Sequence, residues 1–428
     1  MFTVNGTQYA TLDAARDEAD RLENAGIAPE VCLTQPPAPN GKNPGPIFLA
    51  GFPSDVGGAN TEIWHTLRLW RSLHLDVRVI PTWGASDYGD DYGRWAMRLT
   101  EIGCRIVSCP DKSLLPGVPD LPGATVVAFC NTRFCHAADR LRALGCRLVY
   151  VPCMCQLSPS ELRAGPFDRL VFQSDYQAVQ IGNQLAAAGR PSPKAALIRG
   201  AFDPAAWSLG PPRAAHYGPS RYLETYGTYH FRSKIGPAVG RISRPHAVKF
   251  RADLWDTAFA LWRRWPGLTF HVLGWDGDAE AKCGPPPPFA RCYPPGSLHA
   301  GDLLPQLDVL LQQTDPAGPA ENWPRVGLEA MAAGVPIVAD DRGGWREMIA
   351  HATTGFLPAS PDGTLHAVNR LLADQALRHT VAAAARRRLA DLADPARIGR
   401  QWLHLFASLQ SRHANESPEP QERPTLCS

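Results

Sequence analysis

From Pro46 onward the chain alternates short apolar runs with longer stretches of helical periodicity. PIFLAG (46–51), DVRVIPT (76–82), ATVVAFC (124–130), RLVYVP (147–152) and RLVFQS (169–174) read as buried strands separated by helical segments such as TEIWHTLRLWRSLH (61–74). The rhythm pauses over 205–231, which is rich in Pro, Gly and Tyr. It resumes with IGPAVGRIS (235–243), the helical DLWDTAFALWRRW (253–265), TFHVLGW (269–275) and LDVLLQQ (307–313). Continuous apolar strands alternating with helices predict parallel sheets covered on both faces. The fold class expected is α/β, with two tandem Rossmann-like halves facing a cleft. Ligands of such sheets bind beyond the carboxyl ends of the strands.

Ahead of this body, FTVNGTQYA, LDAARDEADRLENAG and EVCLT predict a small strand–helix–strand extension. QPPAPNGKNPGP (35–46) joins it as a linker by composition. The expected division is 1–43 for the extension and linker, 44–212 for the first Rossmann-like domain and 213–395 for the second. A helix over 396–412 is expected to cross back to the first domain, followed by a disordered tail over 413–428.

Composition narrows the partners. No apolar run reaches the roughly 18 residues that span a bilayer, and the N-terminus has neither the basic nor the apolar region of a signal peptide. A cytoplasmic protein is expected. Net charge is +2, without the basic run that marks nucleic acid or anionic lipid. The 11 cysteines are scattered and odd in number, which fits reduced thiols better than a disulfide framework. Cys153 and Cys155 stand too close for a structural zinc pair, and Cys130 and Cys135, with His136 after them, lie in or just after the apolar run ATVVAFC, so small buried side chains lining strand ends are expected instead.

The densest chemistry lies in ENWPRVGLEAMAAGVPIVADDRGGWREMI (321–349). Pro324 suits the first turn of a helix and Gly334 its C-terminal end. The N-terminus of this helix is a ready site for phosphate. Glu321 lies just before it, and Glu329 ~7–8 Å further along its axis. Two acids flanking an anion site suit a diphosphate bearing a hydroxylated ring at each end. One carboxylate would meet a sugar and the other a ribose, which describes a nucleotide sugar.

The E-x7-E pair, together with EAMAAGVPIVADD, GGWREMI and TTGFL, resembles the signature of retaining B-type glycosyltransferases (family 4-like, group 1), which have two Rossmann domains (the GT-B fold). VGRISRPHAVKF (239–250), SDVGGANTEIW (54–64) and IRGAFDPAAW (198–207) resemble three further segments of that family, in its order. The resemblance implies that Arg241 and Lys249 hold the donor diphosphate, and that Glu321 contacts the donor sugar and Glu329 the ribose. It also places Gly57, Gly58, Trp323, Arg325, Val326, Gly343 and Gly344 around the donor. Asp55, Asn60 and His136 fall on the acceptor side. Where the family often has a histidine near the sugar, Asn131 is the best positional candidate and His136 a second. Pro324 stands where relatives often have glycine, removing one N–H donor.

The implied activity is metal-independent, retaining transfer of a hexose from a nucleoside diphosphate sugar, UDP-glucose by default, to a hydroxyl of a glycan or small molecule. No further cofactor is required. Asp276-Gly277-Asp278 has the D-x-D form of metal-dependent transferases but follows a strand of the second half. The alternatives are transfer to a hydroxylated base of modified DNA and epimerisation of a sugar nucleotide. A dehydrogenase is disfavoured because SDVGGAN is not G-x-G-x-x-G. Donor, acceptor and oligomeric state are not specified by spacing.

Overall fold

The computed structural model describes residues 2–4, 7–9, 21, 31–33, 45–54, 58–82, 91–107, 118, 120–204 and 236–410. At the N-terminus β1 (Phe2–Val4) pairs antiparallel with both β2 (Thr7–Tyr9) and β3 (Val31–Leu33). The single first strand expected from FTVNGTQYA is therefore an antiparallel pair. Phe2 lies opposite Tyr9 and Val4 opposite Thr7, which leaves Asn5-Gly6 between the strands. Asn-Gly is a strong two-residue hairpin signal, so this register was legible in the sequence. The helix expected over 12–26 falls almost wholly outside the described residues.

The first α/β domain runs β4 (Ile47–Ala50), α1 (Gly58–Ser72), β5 (Val77–Ile80), α2 (Asp91–Glu101), β6 (Arg105–Ile106), β7 (Thr125–Phe129), α3 (Thr132–Ala143), β8 (Arg147–Val151), α4 (Pro159–Ala164), β9 (Arg169–Phe172), α5 (Asp175–Ala187) and β10 (Ala195–Leu197). Its seven strands are all parallel, in the order β10-β9-β8-β7-β4-β5-β6. Alternate residues feed two cores. Ile47, Leu49 and Val127 join α1 on one face, whereas Phe48, Ala50, Val126 and Ala128 pack with Phe134 and Leu141 of α3 on the other. This two-sided burial explains why the strands read as unbroken apolar runs. The edge strands β6 and β10 are short and half-exposed, so no such run marked them.

The second domain runs β11 (Ala238–Ile242), α6 (Leu254–Arg264), β12 (Thr269–Leu273), α7 (Gly277–Cys283), β13 (Ala290–Tyr293), α8 (Ala300–Leu303), β14 (Val309–Gln312), α9 (Arg325–Ala333), β15 (Ile337–Ala339), α10 (Trp345–Met348), α11 (Pro361–Ala373) and α12 (Gln375–Leu392). Its parallel strands follow the order β13-β12-β11-β14-β15. In both sheets the chain order reverses beside the first strand, at β4/β7 and at β11/β14. Such switch points open a crevice at the carboxyl ends of the strands.

A last helix, α13 (Pro395–Gln410), packs on the first domain. Ile398, Trp402, Leu405, Phe406 and Leu409 form one helical stripe and enter the core around Trp70. Trp70 meets Trp402 and Phe406 edge-on at 5.0 and 5.5 Å. α13 therefore returns the chain from the second domain to the first. Trp402→Ala is expected to destabilise the protein by about 3–5 kcal/mol, the cost of emptying a buried aromatic site. Urea unfolding checks this; a loss below ~1 kcal/mol would show that α13 is peripheral.

Candidate functional site

The carboxyl end of β11 leads into a loop and a 3-10 turn, Ala247–Lys249. Lys249 Nζ and Glu321 Oε1 lie 2.6 Å apart where this loop meets the segment before α9. Arg241 points elsewhere. Only 1% exposed, its guanidinium donates to the backbone carbonyls of Gln313 and Lys249 and sits 4.8 Å from the Phe250 ring. Burial pulls its pKa down to about 10, against the nearby charges of Asp340 and Glu321. In this conformation Arg241 ties the end of β14 to the Lys249 loop from behind, and its charge does not line the crevice.

Backbone packing holds Glu321. Gly344 N donates to Glu321 O at 2.8 Å. A Cβ on Gly344 would stand 1.6 Å from Asn322 O, and one on Gly343 would stand 2.4 Å from Glu321 O. Gly343 also has φ +60°. Only glycine permits so close an approach of two backbones, so the pair clamps the Glu321 segment. Pro324 is extended and caps α9 rather than forming its first helical residue, and left-handed Gly334 closes the helix (φ 71°). One turn into α9, burial raises the pKa of the half-buried Glu329, with Arg325 and His299 opposing the shift.

Across the cleft a buried polar set joins the domains. Asn322, 4% exposed, accepts from Ser174 Oγ at 2.6 Å and donates to Gln173 Oε1 at 3.0 Å. Gln173 in turn donates to Glu62 of α1. Arg325, 6% exposed, donates to Ala201 O at 2.9 Å and lies 5.5 Å from the Phe202 ring. Among the described residues its Nε and Nη2 have no hydrogen-bond partner. Burial lowers the Arg325 pKa and raises that of Glu62, and each charge partly offsets the other's shift. Glu347 caps the other domain's α5 by accepting from Asp175 N and Tyr176 N at 3.0 and 2.8 Å, and pairs with Arg199 at 2.6 Å. Arg199 stacks 4.9 Å from Trp323.

Gly58 opens α1 beside Arg325, whose Cδ would lie 3.6 Å from a Cβ there. The structure thus brings Gly58, Lys249, Glu321, Trp323, Arg325, Glu329, Gly343 and Gly344 to one end of the second sheet, with half-buried Val326 following on α9. Asn60 donates to Ser54 Oγ at 3.1 Å. Asp55 and Gly57 lie outside the described residues. Asn131 caps α3 and is 8% exposed. Its Oδ1 accepts from Phe134 N at 2.9 Å, and its Nδ2 serves Thr82 Oγ1 at 2.9 Å and Ala50 O at 3.3 Å. That commitment leaves Asn131 a positioning part in this conformation. His136 is exposed on the second turn of α3. Asp276 caps α7 by accepting from Ala279 N at 2.9 Å, so the D-x-D form is a helix start. Among the described residues no three His, Cys, Asp or Glu side chains converge on a metal position. Glu62, Gln173, Ser174, Arg199, Asn322 and Glu347 escaped sequence reasoning. The one available signal was polar QS closing the apolar run RLVF.

Residues 302–388 match the family model described as "Glycosyl transferases group 1". HepE of Anabaena, solved in complex with UDP-glucose, superposes with a TM-score of 0.61 at 18% identity, over 85% of this chain and 99% of that one. Sucrose-phosphate synthase of Thermosynechococcus elongatus gives 0.61 at 15%, over 86% and 99%. The pneumococcal O-GlcNAc transferase GtfA, in complex with UDP and GlcNAc, gives 0.56 at 12%, over 85% and 99%. No curated protein matches the sequence. The fold is the two-domain glycosyltransferase fold, GT-B. Within it, residues 302–388 carry the group 1 glycosyltransferase signature.

His65 of α1 gives this face of the cleft a measurable pH dependence. Its Nδ1 accepts from Asp203 N at 3.0 Å. Burial, aided by Arg325 and Arg68, holds its pKa down to about 2. Unfolded, the imidazole takes a proton below about 6.5; folded, it stays neutral. Its contribution is complete above that pH and is lost as pH falls. Between pH 7 and 5.5 the wild type should lose about 1 kcal/mol more stability than His65→Asn, measured by urea unfolding. Equal losses would place His65 in contact with solvent.

Proposed function

We propose that this chain is a retaining, metal-independent hexosyltransferase. It moves a sugar from a nucleoside diphosphate sugar, UDP-glucose by default, to a hydroxyl of a glycan or small molecule. The observation that carries this reading is the Lys249–Glu321 pair at the head of α9, with Glu329 eight positions along the same chain segment. The glutamates and α9 lie within the residues that match the group 1 glycosyltransferase model. The complexes named for HepE, with UDP-glucose and with UDP, support UDP as the nucleotide.

The residues divide the work as follows. The diphosphate sits at the N-terminus of α9, where free N–H groups favour an anion. Lys249 exchanges its bond to Glu321 for the phosphates and offsets the charge on the leaving nucleotide. Glu321, so released, accepts from the donor sugar. Glu329 accepts from the ribose; burial, which raises its pKa, is relieved by that hydrogen bonding. Arg241 fixes the Lys249 carbonyl and acts through that residue. The acceptor hydroxyl attacks the anomeric carbon from the side of the first domain and passes its proton to the departing phosphate. Lys249, Arg325 and the helix end supply positive charge without a metal. No described helix is long and apolar enough to cross a membrane; the proposed setting is the cytosol, acting on a dissolved donor.

Glu321→Ala is expected to abolish transfer while UDP still binds. Glu329→Ala should weaken UDP binding about tenfold or more, through loss of a buried hydrogen bond. Lys249→Ala should lower turnover by ~10²-fold, the scale for one stabiliser of developing charge, and EDTA should change nothing. Calorimetry with UDP and product analysis from UDP-glucose report these outcomes. Normal turnover in Glu321→Ala would overturn the sugar assignment. Loss in EDTA, restored by manganese, would overturn the metal-independent reading.

A further inference from the structure

Cys104, Cys130, Cys135, Cys146, Cys153, Cys155, Cys283 and Cys292 are free thiols. Burial pushes Cys104, Cys135, Cys155 and Cys292 up to about 12, which keeps them inert. Cys130 and Cys153 differ. Cys130 follows β7 and Cys153 follows β8, and these strands are parallel neighbours with Phe129 opposite Val151. Cys130 N donates to Val151 O at 3.0 Å, so the pairing runs on past the strand end. Cys153 Sγ donates to Val151 O at 3.8 Å, the same carbonyl that takes Cys130 N. The register continued past the strand ends sets Cys130 beside Pro152 and Cys153 one residue beyond; with strands ~4.8 Å apart and ~3.3 Å per residue, the two Cα atoms fall about 6 Å apart, inside the separation that a disulfide spans. Cys130 is solvent-exposed at the rim of the cleft and holds a left-handed backbone, φ 45°, which is uncommon outside glycine.

The electrostatics separate their roles. The neighbouring Cys153 draws the Cys130 thiol below its usual range, against burial, and Arg244 of the second domain adds to the effect. Cys130 in turn, with burial, raises Cys153. Cys130 is therefore the attacking thiol and Cys153 the resolving one.

Cys153 also belongs to the loop that supports the Glu321 segment. Its carbonyl accepts from Asn322 Nδ2 at 3.5 Å, and Cys155 Sγ donates to Ala320 O at 3.5 Å. Gln177 Nε2 holds the same loop through Pro152 O and Met154 O. A covalent pull on Cys153 toward β7 acts directly on these contacts.

We propose that Cys130 and Cys153 form a reversible dithiol–disulfide modification site for low-mass disulfides, and that closing it slackens the Ala320–Asn322 segment. The Cys130 thiolate attacks one sulfur of the small disulfide, breaking its S–S bond and releasing one small thiol. Cys153 then gives its proton to solvent and attacks the Cys130 sulfur, expelling the second small thiol. The protein loses two electrons and two protons, and the small disulfide gains them. The proposal stands independently of the transfer reaction.

The test treats the full-length protein with oxidised glutathione and reads peptide masses after alkylation, together with amide hydrogen exchange over 320–323. Expected is a Cys130–Cys153 cross-link without bound glutathione, with exchange over 320–323 rising about fivefold or more, both reversed by dithiothreitol. Cys130→Ser should remove both effects. Cys153→Ser should stop at a glutathione adduct on Cys130 with exchange unchanged. A persistent adduct in the wild type, a cross-link elsewhere, no reaction at Cys130, or a cross-link without increased exchange would each overturn the proposal.

Discussion

Asn322 spends its whole amide on the opposite domain, and the rest of the site hangs on that commitment. Its oxygen takes the Ser174 hydroxyl and its nitrogen meets Gln173, whose own amide holds Glu62. Each group is buried. Separating the domains without rehydration would leave several polar atoms unpaired, at about 1–3 kcal/mol apiece. The arrangement therefore favours being made as a whole. Glu321 is the neighbour of Asn322 in the chain, and Gly343 and Gly344 press on the backbone of both from the other side. The carboxylate is thus held between a cross-domain amide and a glycine turn, and Lys249 meets it there.

Charge in the cleft is unevenly satisfied. Lys249 and Glu321 pair directly, whereas among the described residues Arg325 Nε and Nη2 have no hydrogen-bond partner at the junction of the domains. A buried guanidinium with free donors is costly. Glu62 and Glu329 offset part of that cost through space. An anion arriving at the head of α9 meets this surplus of positive charge, and Arg325 gives back some of what Pro324 removes as a backbone donor. Arg241 serves the same region from the interior by fixing two carbonyls.

Much of this was legible in the sequence because it depends on local rules. Two-sided burial wrote the strands as apolar runs, and left-handed Gly334 closes α9 as its place after the helical run implied. The hairpin between Phe2 and Tyr9 was also legible, through Asn5-Gly6. Contacts that depend on tertiary pairing were not legible. Family resemblance pointed Arg241 toward a diphosphate; its direction depends on carbonyls at 249 and 313 that no spacing reveals. Asn131 stands where the resembling family often has a histidine near the sugar, and the same position makes it a helix cap. Glu62 and Asn322 carry no periodic mark, since their partners lie 111 and 149 positions away in Gln173.

The central claim is that the head of α9, between Lys249 and Glu329, receives a nucleoside diphosphate. A crystal structure of the protein with UDP tests it most directly. The account predicts the diphosphate at the N-terminal turn of α9 within hydrogen-bond reach of Lys249 Nζ, and the ribose hydroxyls on the Glu329 carboxylate. UDP seated instead in the β4/β7 crevice of the first domain, or absent from a site whose geometry is unchanged, would contradict it.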